Sequence, residues 1–199
     1  MIILGKSTSI NVRKVLWTCV EIGLQYQLEP SSGTDVQQRN PNAMVPVLID
    51  DGHVLWESNT ICRYLAGKHG RHDLLPAAPM ARAQVEKWMD WQATELNSAW
   101  RYAFLALVRR SETHADPAAV NASIQQWNRL MALLDAQLAQ TGAWVAGDIF
   151  TLADIVLGLS FNRWTSTPMA RPQLPSLAAW AARLGERAGW LQHGANGTP

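Results

Sequence analysis

The sequence predicts an α+β domain of order β-α-β-α-β-β-α over residues 1–75, followed by an all-α helical-bundle domain over residues 80–199. Three observations predict this. Short apolar runs bounded by turn residues are confined to the first third, and two of them flank Asp51-Gly52, a strong hairpin signal. From Met80 onward, apolar residues recur three and four apart, the spacing of a helix face. Between these regions, the stretch from Gly70 to Pro79 contains Gly70, Pro76 and Pro79 and reads as a linker.

Ile2 to Gly5 reads as a short buried strand. Val12, Val15, Leu16, Cys19 and Ile22 then recur at helical spacing, and Gly23 ends that helix. Tyr26 to Glu29 predicts a second strand, and the strand–helix–strand order predicts a right-handed crossover. Pro30 to Asn40 is loop-rich, with room for one helical turn. Val47–Asp50 and His53–Trp56 predict the hairpin strands, and Ser58 is placed to cap a helix running to about Lys68. A long helix is predicted from Met80 to Arg110, with Val85, Trp88, Met89, Gln92 and Leu96 on one face. Asp116-Pro117 starts another helix, with proline at its first position. Its stripe of Val120, Ile124, Trp127, Met131, Leu134 and Leu138 reads as core. Thr151 and Asp154 are spaced as a capping box, with Asp in place of Glu or Gln. A last helix is predicted over Ser176 to Ala188, with a loose tail after it.

Composition excludes several classes. The chain is 48% hydrophobic, enough for a real core, and its net charge of +1 carries no basic block, so no nucleic-acid footprint is expected. No apolar run is long enough for a membrane span, and Met1 to Ser9 lacks a signal-peptide pattern, so a cytoplasmic protein is expected. Cys19 and Cys62 alone cannot build a disulfide framework or zinc site, and the histidines lack ligand spacing, so no metal is expected. The ten Trp fall mostly at core spacing and are read as packing.

The most informative segment is Asn40 to Ser58. It places Asn40-Pro41, Val45-Pro46, a hairpin and Glu57-Ser58 in that order. By itself this is a hairpin leading into a capped helix. It offers a backbone edge, a helix N-terminus that attracts a carboxylate, and the acidic Glu57. The order resembles the glutathione-binding half of the cytosolic glutathione S-transferases, whose pattern is NP-x-x-x-[VI]-P, a hairpin, and [ED]-S at a helix start. The element order of the first domain likewise matches a thioredoxin-like domain. GDIFTLADIVLG is similar to that family's capping motif in the second domain, where Thr151 and Asp154 are structural. The resemblance covers nearly the whole chain.

The resemblance implies a cis peptide at Pro46, pairing of the Val45 backbone with the cysteinyl part of glutathione, and Glu57 and Ser58 on the γ-glutamyl end. The chemistry requires a thiolate. A free thiol of pKa about 8.5 is a few per cent ionised at pH 7, and one hydroxyl donor supplies about one to two units. Ser7, Thr8 and Ser9 precede the first helix. Ser9-Ile-Asn-Val-Arg13 resembles the S-x-x-x-R of serine-type members (theta-, delta- and zeta-like), so Ser9 is the favoured donor. Thr8 and Asn11 are alternatives, and capping of the helix is the competing role for Ser9. No N-terminal Tyr or Cys occupies the site used by the other types. Ala43 stands where some serine-type relatives place a His on the glycine carboxylate.

The expectation is a transferase that conjugates glutathione to a small hydrophobic electrophile, as a homodimer. By resemblance the electrophile sits near the first long helix of the second domain, where Trp91, Trp100, Tyr102 and Phe104 lie; packing is the favoured role for each and none is named as a site residue, though an aromatic wall would suit a hydrophobic electrophile. The same fold also carries glutathione-dependent dehalogenases, isomerases and disulfide reductases, and binding proteins without catalysis. Nothing in the sequence alone separates the enzymatic readings.

Overall fold

The computed structural model describes residues 1–199. Strand β1 (Ile2–Leu4) leads into α1 (Ile10–Ile22), then β2 (Gln27–Glu29), α2 (Thr34–Gln37), β3 (Val47–Asp50), β4 (His53–Trp56) and α3 (Ser58–Lys68). The sheet order is β2-β1-β3-β4, with β1 parallel to β2 and antiparallel to β3, and β3 antiparallel to β4. Strand alternation puts Ile3 and Leu48 on the face covered by α1 and α3, while Leu4 and Val47 pack with Val36 of α2 on the other. Gly23 closes α1 in the left-handed region at φ 83°, and Asp51 and Gly52 make the hairpin turn with φ of 50° and 79°.

The helical half comprises α4 (Pro79–Trp91), α5 (Asn97–Leu107), α6 (Pro117–Thr141), α7 (Leu152–Ser166) and α8 (Pro175–Leu184). The predicted single helix from Met80 to Arg110 is instead α4 and α5 joined by a π-helical turn, Gln92–Leu96, and it ends before Arg110. That turn adds one residue to the ladder and rotates Gln92 and Asn97 toward a shared contact. Asp116 caps α6, accepting from Ala118 N at 3.0 Å. The capping box at Thr151 and Asp154 is present. No helix is long and apolar enough to cross a membrane.

Two further expectations are corrected. The Gly70–Pro79 stretch is not a free linker, because Leu74 and Leu75 are buried in the core and Leu74 O accepts from Leu152 N at 3.0 Å. The tail beyond the last helix is not loose. After a π-helical turn at Trp190–Gly194, it returns to α1, where Arg13 Nη1 donates to Asn196 Oδ1 and Thr198 O, each at 2.7 Å. Trp17 sits where the two halves meet, fully buried against Phe150 and Trp190. Only glycine fits at position 189 there, since a Cβ would stand 2.0 Å from Trp17 Cδ1.

Candidate active site

The chain leaves β1 through Gly5, where a Cβ would meet Val12 Cγ2 at 2.5 Å, and turns into α1. Ser9 occupies the N-cap in extended conformation, but its side chain makes no capping bond. The capping role weighed for Ser9 is therefore not the one its hydroxyl performs, and the first N–H groups of α1 keep no side-chain acceptor. Arg13, one turn on, is fully buried, and burial lowers its pKa to about 10.

In the segment after α2, Asn40 folds the loop, with its Nδ2 donating to Met44 O at 2.7 Å and its Oδ1 accepting from Asn42 N at 3.0 Å. Val45-Pro46 is cis. Val45 lies just outside β3, and its backbone N–H and C=O make no hydrogen bond within the chain. Glu57, at φ 71°, holds the N-cap of α3 without a side-chain cap bond. A non-glycine residue in that region is strained, and such strain clusters at functional sites. Ser58 does not cap α3 as expected. It is the helix's first residue, and its Oγ reaches Asn11 Oδ1 at 3.5 Å.

These pieces meet in one cleft. A hollow of about 460 Å³ is lined by Ser9, Asn11, Met44 and Val45 together with Lys6, Arg109 and Arg163. An adjoining hollow of about 310 Å³ shares Asn11, Met44 and Val45 and adds Pro46, Glu57 and Ser58. All six predicted site residues therefore line a continuous surface onto which the uncapped N-termini of α1 and α3 open. Such termini favour an anion. A hollow of about 500 Å³ between α5 and α6 contains none of the six, so the Ser9 cleft is the candidate site.

Beneath the cleft lies a polar network the sequence did not reveal. Lys14 Nζ donates to Gln92 Oε1 at 2.7 Å and Asn59 Oδ1 at 3.3 Å, and Gln92 Nε2 donates to Asn97 Oδ1 and Ser160 Oγ, each at 3.0 Å. Burial lowers the Lys14 pKa to about 8. Its one available signal was a Lys inside an apolar helix pattern.

The four aromatics of the first long helix take the packing role favoured for them. None of Trp91, Trp100, Tyr102 and Phe104 lines the Ser9 cleft; Arg109 and Arg163 do. Trp91 packs on Trp88 and Tyr102 on His114, while Trp100 and Phe104 lie beneath the Arg163 guanidinium at 4.4 and 4.2 Å. Arg163 stood out in the sequence only as a cation in the otherwise apolar stretch of α7.

Comparison with known proteins agrees with this architecture. Residues 4–73 match the glutathione S-transferase N-terminal domain and residues 117–183 the glutathione S-transferase C-terminal domain. The chain is 38% identical over 192 residues to glutathione S-transferase GstB of Escherichia coli K12, covering 92% of each chain. The chain belongs to the glutathione S-transferase family. It is also 33% identical to glutathione S-transferase 3 of Zea mays, covering 94% of this chain and 85% of that one. Among solved structures, it resembles a theta-class glutathione S-transferase from Xanthomonas axonopodis pv. citri with glutathione bound. The TM-score is 0.89 at 38% identity, covering 97% of this chain and 96% of that one. The six predicted site residues fall inside the matched N-terminal domain of the glutathione S-transferases. Arg109 falls between the two matched regions and Arg163 within the second.

Proposed function

We propose that the protein transfers the glutathione thiolate to a small hydrophobic electrophile, with Ser9 donating to the sulfur. The observation that carries this reading is the Ser9 hydroxyl, released from capping, in the same cleft as an unpaired Val45 backbone and two open helix N-termini. Val45 N–H and C=O pair with the cysteinyl backbone as an added strand. Ser58 and the α3 N-terminus receive the γ-glutamyl carboxylate, and the Glu57 carboxylate receives its ammonium group.

The thiol loses its proton to solvent, and the Ser9 donor and the α1 N-terminus stabilise the thiolate. Sulfur then attacks the electrophilic carbon, and either a leaving group departs with its electron pair or a conjugated double bond accepts the pair. No protein group becomes covalently bound. Cys19 and Cys62 are buried, with burial raising their pKa values to about 12 and 11, and neither lines the cleft, so nothing favours exchange through a protein thiol. The reading includes a cytoplasmic homodimer that needs no metal.

Titration calorimetry with reduced glutathione tests the site. Binding in the micromolar to millimolar range is expected, and Glu57→Ala is expected to weaken it about tenfold or more, the scale of a lost hydrogen bond to a charged group. No binding at any accessible concentration would remove the transferase reading. Light scattering on the eluted protein tests the dimer, and a mass near 22.1 kDa would refute it.

A further inference from the structure

The cleft beside Ser9 has an unbalanced charge. Lys6, Arg109 and Arg163 line the hollow at Ser9 and no Asp or Glu does, Glu57 lying in the adjoining hollow. None of the three takes part in any ion pair of the chain. Arg163 is only 4% exposed, and its Nε has no acceptor. Its guanidinium is held by the Trp100 and Phe104 rings, and Arg109 lies over the same Phe104 ring at 5.6 Å. Aromatic faces fix a guanidinium in place without neutralising its charge. Burial, followed by the nearby charges of Arg13 and Arg109, lowers the Arg163 pKa to about 9, the mark of a cation short of an anion.

A buried, unpaired charge is costly and is normally paired or hydrogen-bonded. The geometry points to a second substrate that carries a carboxylate, held by Arg163 and Arg109, on an apolar body whose electrophilic carbon faces the sulfur at Ser9. A guanidinium fork matches a carboxylate in shape and charge. Both arginines belong to the helical half, Arg163 on α7 and Arg109 just beyond α5, and neither lines the adjoining hollow that holds Glu57 and Ser58. That placement favours the electrophile over the glycine carboxylate of the tripeptide. The inference rests on the glutathione reading above.

A matched pair of electrophiles tests it: 4-fluoro-3-nitrobenzoate and the neutral 4-fluoro-3-nitrobenzamide. In each, a C–S bond forms at the fluorinated carbon, fluoride leaves with the bonding pair, the thiol proton passes to solvent, and nothing is oxidised. With each rate divided by its uncatalysed rate, the parent is expected to favour the acid by about tenfold or more in kcat/KM, the scale of a charge-assisted contact. Arg109→Gln and Arg163→Gln are expected to cut that ratio severalfold through the KM of the acid. Arg109 is exposed, so its variant keeps the test open should Arg163→Gln fail to fold.

A parent ratio near one, or a ratio kept in both variants, overturns the proposal. A rise in the glutathione KM with both electrophiles also overturns it and assigns the cations to the tripeptide. Calorimetry of the glutathione-loaded protein with unreactive 3-nitrobenzoate and 3-nitrobenzamide gives an answer even without turnover, since no preference for the anion overturns the proposal. Failure to bind glutathione at all is a different result and defeats the transferase reading instead.

Discussion

At the residue scale, the site depends on side chains and backbone groups that do not satisfy one another. Ser9 stands at a helix N-cap and caps nothing, and Val45 sits beside a sheet and pairs with nothing in the chain. Each is a group that the fold leaves unpaired, as the proposed glutathione site requires. A hydroxyl donor to a thiolate contributes about 1.5–3 kcal/mol, or one to two pKa units of the bound thiol. Ser9→Ala is therefore expected to raise the pKa of enzyme-bound glutathione by about one unit or more and to lower kcat near pH 6.5 about tenfold or more. The bound-thiol pKa is read from thiolate absorbance against pH. An unchanged pKa and unchanged turnover would move the donor role to Thr8 or Asn11.

At the element scale, the start of α7 is a junction rather than a simple cap. Asp154 accepts from Thr151 N at 2.9 Å, Thr151 Oγ1 at 3.1 Å, Val145 N at 2.9 Å and Trp180 Nε1 at 2.9 Å. The sequence pattern implies a cap loss of about 1 kcal/mol for Asp154→Ala. The structure raises that figure, because truncation leaves buried backbone and indole donors unpaired, each at about 1–3 kcal/mol. The expected loss is about 3 kcal/mol or more, a fall of roughly 6–12 °C in Tm for a chain of this size. A melt within 2–3 °C of the parent would show that the site relaxes or takes up water. The spacing of Thr151 and Asp154 made the cap legible. The two further donors come from a preceding loop and from α8, so no local pattern announces them.

At the scale of the whole molecule, both halves share one core. A single cluster of 38 buried residues runs from Ile3 in the sheet to Trp190 after α8, so the two halves are not independent bodies. The Arg187–Glu21 ion pair at 2.5 Å fastens the same seam, and within α1 the Trp17 indole donates to that Glu21 at 2.8 Å. Lys14 adds a pH-dependent contribution there. Its pKa is about 8 in the fold, against an ordinary 10.5. Between those values the unfolded chain holds the extra proton, so this group adds stability as pH rises. Cys62, raised to about 11 by burial, acts in the opposite sense above its ordinary 9.0. Comparing thermal melts of the parent and Lys14→Met at pH 7 and pH 9, the difference is expected to shift in the parent's favour at the higher pH. A pH-independent difference would mean that Lys14 keeps its ordinary affinity for protons.

The sequence by itself determined what is encoded over a few neighbouring residues. The hairpin at Asp51-Gly52, the end of α1 at Gly23, the α6 start at Asp116-Pro117 and the Thr151–Asp154 cap are all of this kind, whereas the six residues of the candidate site rest on a family resemblance. Steric and hydrogen-bonding preferences act within a turn or two of chain, so spacing alone records them. Tertiary structure decided the rest: the π-helical turn that points Gln92 at Lys14, the tail seated on Arg13, and the arginines of α7 and the end of α5 facing Ser9. These groups are far apart in the chain. Packing of the shared core brings them together, and burial then makes their charge matter.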